Sequence, residues 1–230
     1  MARGLKDWTS ALGPTEVTLR PSIYSSTGRA LMVDDFEATT VKWFSGGSTG
    51  SSIAHSTAAA FNGNNSLLLT AGTSVAYTGI ANRLFPPLEK KKLGIELVFN
   101  ISSATKISFV YAWIQYTDND HRTQFQWAWY PVTDLMYYRN SAGTIIEIPN
   151  WDYKLYAATT PWYRIKMIVD QDTSKYVSLQ ANDYRFDMSN LDGQKSTTAA
   201  ASNVQVALGI AAIDNTQPKV YFDDVVVTEE

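Results

Sequence analysis

The chain contains no cysteine, which removes disulfides and every zinc site built on thiolates. It has two histidines, His55 and His121. Neither belongs to a His-Glu-x-x-His pair, and no Gly-x-Ser-x-Gly turn or phosphate-cradling glycine loop is present. Charge is sparse: Asp, Glu, Lys and Arg make up 18% of the residues and the formal net charge is −3. The longest basic run, Lys90-Lys91-Lys92, reads as a solvated loop. A positive face able to displace counterions is missing, so nucleic acid is not an expected partner. No apolar run approaches the roughly 20 residues that span a bilayer as a helix, and no membrane association is expected. Also absent is the Glu-x-Asp-x-x-Glu alternation of sandwich glucanases. Most Asp and Glu sit in turn-like sequence, which does not hold two carboxyls at a catalytic separation. The expectation is a protein that is not an enzyme.

What is present is apolar and aromatic. Hydrophobic residues account for 45% of 230 residues, enough for a sizeable core without staples. Seven Trp and thirteen Tyr suit the pleated surface of strands, and equally suit ligand platforms.

Residues 1–32 carry Gly4, Gly13, Pro14, Pro21 and Gly28 with little periodicity beyond a short Val17-Thr18-Leu19 run. They read as an extended N-terminal arm that must lie on the body or on a neighbouring subunit to be ordered. Residues 33–230 read as one domain. Strand-like runs recur at 41–44, 66–70, 93–101, 107–116, 123–130, 135–138, 144–148, 162–169, 176–180, 184–186, 204–213 and 220–227. Polar turns separate them, such as Asn140-Ser141-Ala142-Gly143 and Asp170-Gln171-Asp172. Gly46–Ser52 reads as a loop, and Leu88–Lys92 and Ser189–Leu191 as brief helical turns. Short strands of this spacing predict an all-β, antiparallel β-sandwich.

Certain stretches follow a known order: Asp34-Asp35-Phe36-Glu37, then Trp43, Gly63-Asn64-Asn65-Ser66-Leu67-Leu68-Leu69, and a closing Tyr221-Phe222-Asp223-Asp224-Val225. The order resembles jelly-roll carbohydrate-binding modules. Residues 162–183 are similar to laminin-G and concanavalin A-like sandwiches. The pattern is also similar to phage structural proteins that place an arm before an Asp-Asp-Phe-Glu strand. In the binding modules an early acid and an acid of the last strand hold a structural calcium. The resemblance therefore implies Glu37 with Asp223 or Asp224 as calcium ligands.

The residues suggest one binding face. A two-residue turn at Asp118-Asn119 pairs Thr117 with Asp120 and sets Trp113 opposite Gln124 and Tyr111 opposite Gln126. Rings serve the apolar face of a sugar and amides its hydroxyls, so Tyr111, Trp113, Gln124 and Gln126 are the candidate glycan site. On the other face Ala112, Val110, Phe125, Trp127 and Trp129 belong to the core.

Two readings of function result. The first is a structural protein of a phage-like virion, a decoration or a tail or fibre component. Its arm 1–32 would join copies of itself or other virion proteins, and it would be made in the host cytoplasm because the N-terminus lacks signal-peptide character. The alternative is a carbohydrate-binding module of a glycan-active or cell-surface protein, placed outside the cell.

Overall fold

Along Ile107–Thr117 the side chains at 110, 112 and 114 are apolar and those at 111, 113 and 115 are Tyr, Trp and Gln. Alternation with a period of two sends these sets to opposite faces, and the apolar set must find a second layer to cover it. The computed structural model supplies that layer. It describes residues 29–74, 77–88, 92–118, 120–197 and 201–230.

Among the described residues there are sixteen strands and no helix. They are β1 (Arg29–Asp34), β2 (Phe44–Gly47), β3 (Ser52–Ser56), β4 (Ser66–Thr70), β5 (Thr78–Phe85), β6 (Lys92–Ile101), β7 (Ile107–Thr117) and β8 (His121–Tyr130). There follow β9 (Leu135–Arg139), β10 (Ile145–Glu147), β11 (Tyr163–Asp170), β12 (Lys175–Ala181), β13 (Tyr184–Asp187), β14 (Gln194–Thr197), β15 (Asn203–Ala212) and β16 (Lys219–Glu229). They form two antiparallel eight-stranded sheets. Sheet I runs β13-β12-β11-β6-β16-β4-β3, and sheet II runs β10-β9-β8-β7-β15-β5-β2. Two long strands are shared by two partners on one edge. β16 pairs with β4 over 219–222 and with β1 over 225–229, and β8 pairs with β14 over 121–124 and with β9 over 127–130. The result is a two-layer sandwich consistent with a jelly roll.

The core lies between the sheets. Phe99 of β6 is its hub, with ring centroids 6.0 Å from Trp127, 5.7 Å from Trp129, 5.3 Å from Tyr163 and 6.1 Å from Phe222. Trp127 and Trp129 are therefore core, as expected. The Asp34–Trp43 pattern has a local cause. Buried Asp34 accepts from the Trp43 indole at 3.0 Å and from the Phe36 N–H at 3.2 Å, fixing the turn that drops Phe36 into the core.

Several sequence expectations change. The boundary at 32/33 cuts a strand: Arg29–Asp34 pairs with β16, with Met32 opposite Val227, so residues 29–32 belong to the sandwich and not to an arm. Residues 1–28, including the 17–19 run, lie outside the described residues. The Gly/Ser stretch 46–52, read as a loop, begins with the end of β2 and closes with the start of β3. β5 and β14 were not anticipated, because neither carries a long β-branched run. Ser189–Leu191 is a turn and not helical; of Leu88–Lys92, residues 89–91 lie outside the described residues and Lys92 begins β6.

Candidate functional site

The outward face of sheet II gathers the sequence-predicted glycan residues. The β7–β8 register differs from the expected one by two. Thr117 pairs with Arg122, Trp113 with Gln126 and Gln115 with Gln124, while Tyr111 faces Ala128. The cause is a turn moved one residue along the chain. The Asp118 N–H donates to the His121 carbonyl at 2.9 Å, and its carboxylate accepts from the N–H groups of Asp120 at 3.0 Å and His121 at 2.6 Å, so 118 and 121 close the hairpin in place of 117 and 120. A slip of two preserves the faces, so Tyr111, Trp113, Gln124 and Gln126 still share one surface.

These four residues play unequal parts. Tyr111 is only 5% exposed, and its ring lies across β15 at Gly209. Burial pushes its phenol up, against a smaller opposite pull from Arg139. Gln126 is 4% exposed, and its side-chain oxygen accepts two bonds from Arg139, at 3.0 and 2.9 Å. Trp113 and Gln124 remain partly open to solvent, next to Gln115. The accessible part of the face is thus Trp113 with two amides, while Tyr111 and Gln126 form its floor.

Further aromatic residues on this face were missed in the sequence. Phe109 lies 5.5 Å from Tyr111 and 5.1 Å from Tyr130, and Tyr130 lies 4.3 Å from Tyr137. Together they make a ring-lined strip across β7, β8 and β9, none of it part of the core cluster. The signal was available: Phe109 is two residues from Tyr111, and the odd-numbered face of β7 continues through it. The strip also has a small-residue flank, because β15 presents Ala207 beside Trp113, Gly209 beside Tyr111 and Ala211 beside Phe109.

Arg139 stands at the end of the strip. Besides Gln126 it donates to the Gly143 carbonyl at 2.7 Å and the Gln194 amide oxygen at 3.3 Å. All its partners among the described residues are neutral. Burial lowers its pKa, with smaller opposite contributions from Tyr176 and Tyr111. Behind it, the Tyr176 hydroxyl crosses the core from sheet I. It accepts from the Gln126 N–H at 2.9 Å and donates to the Arg139 carbonyl at 2.8 Å. The backbone under Gln126 and Arg139 is thereby tied to the opposite sheet.

The predicted calcium ligands lie elsewhere, around the loop 61–65. Glu37 accepts from the N–H groups of Asn64 and Asn65, both at 2.7 Å. Fully buried Asp223 accepts from Phe61 N–H at 2.8 Å and Asn62 N–H at 3.2 Å through one oxygen, and from Asp224 N–H at 2.9 Å through the other. The Asn62 amide donates to Asp224. Burial pushes Asp223 up to about 7, against the pull of these three donors. Glu37, Asp223 and Asp224 thus all bond the one loop. Carboxylate oxygens are the ligands calcium takes, but here they face N–H hydrogens that an ion would have to displace. Among the described residues no group of three or more His, Cys, Asp or Glu side chains gathers as a metal site. His121 sits exposed beside Asp118, and His55 lies on β3.

No family model matches the sequence, and no curated protein matches it. Solved structures do. An endo-β-1,4-glucuronan lyase from the fungus Trichoderma reesei aligns with a TM-score of 0.64 at 11% identity, over 88% of this chain and 96% of that one. The cellulose-induced protein Cip1 aligns at 0.58 and 14% identity, over 86% of this chain and 97% of that one. Arcelin-5, a lectin-like defence protein from Phaseolus vulgaris, aligns at 0.50 and 8% identity, over 84% and 94%. The chain shares their fold. At such identities fold is all that is shared, because one sandwich hosts many functions.

Proposed function

We propose that this protein is a non-enzymatic glycan-binding module, and that it binds with the outward face of sheet II. One observation carries the reading. Half-buried Trp113, flanked by the amides of Gln115 and Gln124, continues into the Phe109, Tyr130 and Tyr137 strip on a face that the core does not use. A sugar ring needs a flat apolar surface for its C–H face and hydrogen-bonding groups for its hydroxyls, and this strip offers both. Structural neighbours named for glycan chemistry or as lectin-like support the reading. The virion reading drew on residues 1–32 as an arm that joins subunits; of these, Arg29–Met32 pair in β1, and 1–28 lie outside the described residues.

The test is binding to a panel of neutral and acidic polysaccharides by affinity electrophoresis, with wild type and Trp113→Ala. Trp113→Ala should weaken binding at least about tenfold, which is ~1.4 kcal/mol, with an unchanged thermal midpoint. Full affinity in that variant overturns the site. Release of new reducing ends or of unsaturated sugar absorbance from any panel member overturns the non-enzymatic part.

Calcium enters as part of the same proposal. An ion held by Glu37 with Asp223 or Asp224 would have to replace the N–H donors that these carboxylates now accept from loop 61–65. A thermal midpoint that rises with calcium and falls with chelator supports it, and an unchanged midpoint leaves the clamp purely hydrogen-bonded.

A further inference from the structure

Sheet I carries a second concavity on its own outward face, where Val98 of β6 pairs with Arg164 of β11. Its volume is about 180 Å³, and its walls are Phe61, Val98, Trp162, Arg164, Asn182 and Asp183. The Phe61 and Trp162 rings stand 5.8 Å apart at 59°, making a notch with two apolar walls. The Arg164 guanidinium lies 5.4 Å from the Phe61 ring centroid. Asp183 is exposed at the rim.

Three chain segments build this notch, and buried or half-buried polar groups hold each of them. Phe61, left 38% exposed, is fixed through its N–H on the buried Asp223 carboxylate at 2.8 Å. The strap leading to Trp162 is gripped by the Asn100 amide, which donates to the carbonyls of Thr159 at 3.0 Å and Pro161 at 2.8 Å. The turn bearing Asp183 is locked because Asn182, at φ 49°, exchanges bonds with the Arg164 backbone at 3.0 and 2.8 Å. An aromatic pair held this firmly, with Phe61 exposed and Trp162 half-buried, loses little freedom on meeting a ligand, which favours binding.

We infer that this notch is a second binding site, independent of the sheet II face, and that it takes a single neutral pyranose unit such as a glycan end. The chemistry selects the ligand. Two rings call for an apolar C–H surface, while a guanidinium and a carboxylate on either side call for a ligand with both hydroxyl donors and acceptors. A lipid chain would offer nothing to the guanidinium or to the rim carboxylate, and a bare ion would meet ring faces. The small volume, below the range for drug-sized ligands, limits the occupant to about one ring.

The test follows the indole N–H signals of the ¹⁵N-labelled full chain during titration with methyl glucopyranoside, galactopyranoside, mannopyranoside and xylopyranoside. The Trp162 signal is assigned with Trp162→Phe. One member of the panel should move the Trp162 signal, and the shift should persist in Trp113→Ala. The dissociation constant should rise at least about tenfold in Phe61→Ala and in Asp183→Ala, both exposed positions that leave the thermal midpoint in place. A Trp162 signal that none of the four sugars moves overturns the site, whatever happens at Trp113. A shift that survives both variants overturns it as well. A wild-type Trp113 signal that no glycan moves, beside a Trp162 signal that one of the four sugars does move, would retire the sheet II reading and keep this one.

Discussion

The ring of Tyr111 occupies the space that a side chain at Gly209 would fill. A Cβ at 209 would come within 2.1 Å of the Tyr111 Cζ. The phenol therefore lies flat across β15 because its neighbour has no side chain, and it carries the floor of the ring-lined strip beside Trp113. Gly209→Ala is expected to lift Tyr111 out of this bed. Stability should fall by about 1–3 kcal/mol, the usual cost of overpacking. Glycan affinity should fall with it, while a double variant with Tyr111→Ala recovers stability but not affinity. Denaturant unfolding and affinity electrophoresis on the same samples separate the two effects.

Tyr176→Phe should destabilise the sandwich by roughly 1–3 kcal/mol, because it strands the buried Gln126 N–H and takes a donor from the Arg139 carbonyl. Hydrogen exchange at Gln126 should accelerate more than exchange at Phe99, which the substitution does not touch. Equal acceleration at both sites would show that the bond does not anchor the strip in particular.

The pH dependence of tyrosine ionisation gives an independent check on burial. Burial pushes both Tyr111 and Tyr176 up, partly offset by Arg139 at both and by backbone bonds at Tyr176. In the folded protein these two phenols should stay neutral through the ordinary tyrosine range near pH 10. Because their folded values are raised, the neutral form is the one the fold favours. Their contribution to stability is therefore full below about pH 10 and is lost as pH climbs beyond it. Phenolate absorbance should appear for them only together with unfolding, and Tyr111→Phe and Tyr176→Phe should each remove part of that late step.

Arg139 is held by neutral oxygens, so its charge is uncompensated by any partner among the described residues. A glycan bearing carboxylates should bind more tightly than a neutral one of equal length. The advantage should shrink as salt is raised and vanish in Arg139→Gln. An acidic glycan whose affinity ignores both salt and Arg139→Gln would remove Arg139 from the site.

The long strands and their faces were legible in the sequence, because side-chain direction alternates with a period of two whatever the partner, while the short β3 and β14 and the less regular β5 were not. Trp127 and Trp129 were legible as core, and Trp113 and Gln124 as outward, even though the register differs by two. Glu37 and Asp223 were singled out by the resemblance, and both bond loop 61–65. Tertiary structure alone decided the rest. The position of the turn at Asp118 set the register, through hydrogen bonds that strand periodicity does not encode. The hairpin after Tyr130 set Tyr137 and Arg139 beside β8, and strand order placed Gly209 under Tyr111, although no local pattern links 111 with 209. Phe61 and Trp162 meet only because β6, β11 and β16 are neighbours in one sheet. Local sequence dictates which way a side chain points; only the paired sheets dictate what it points at.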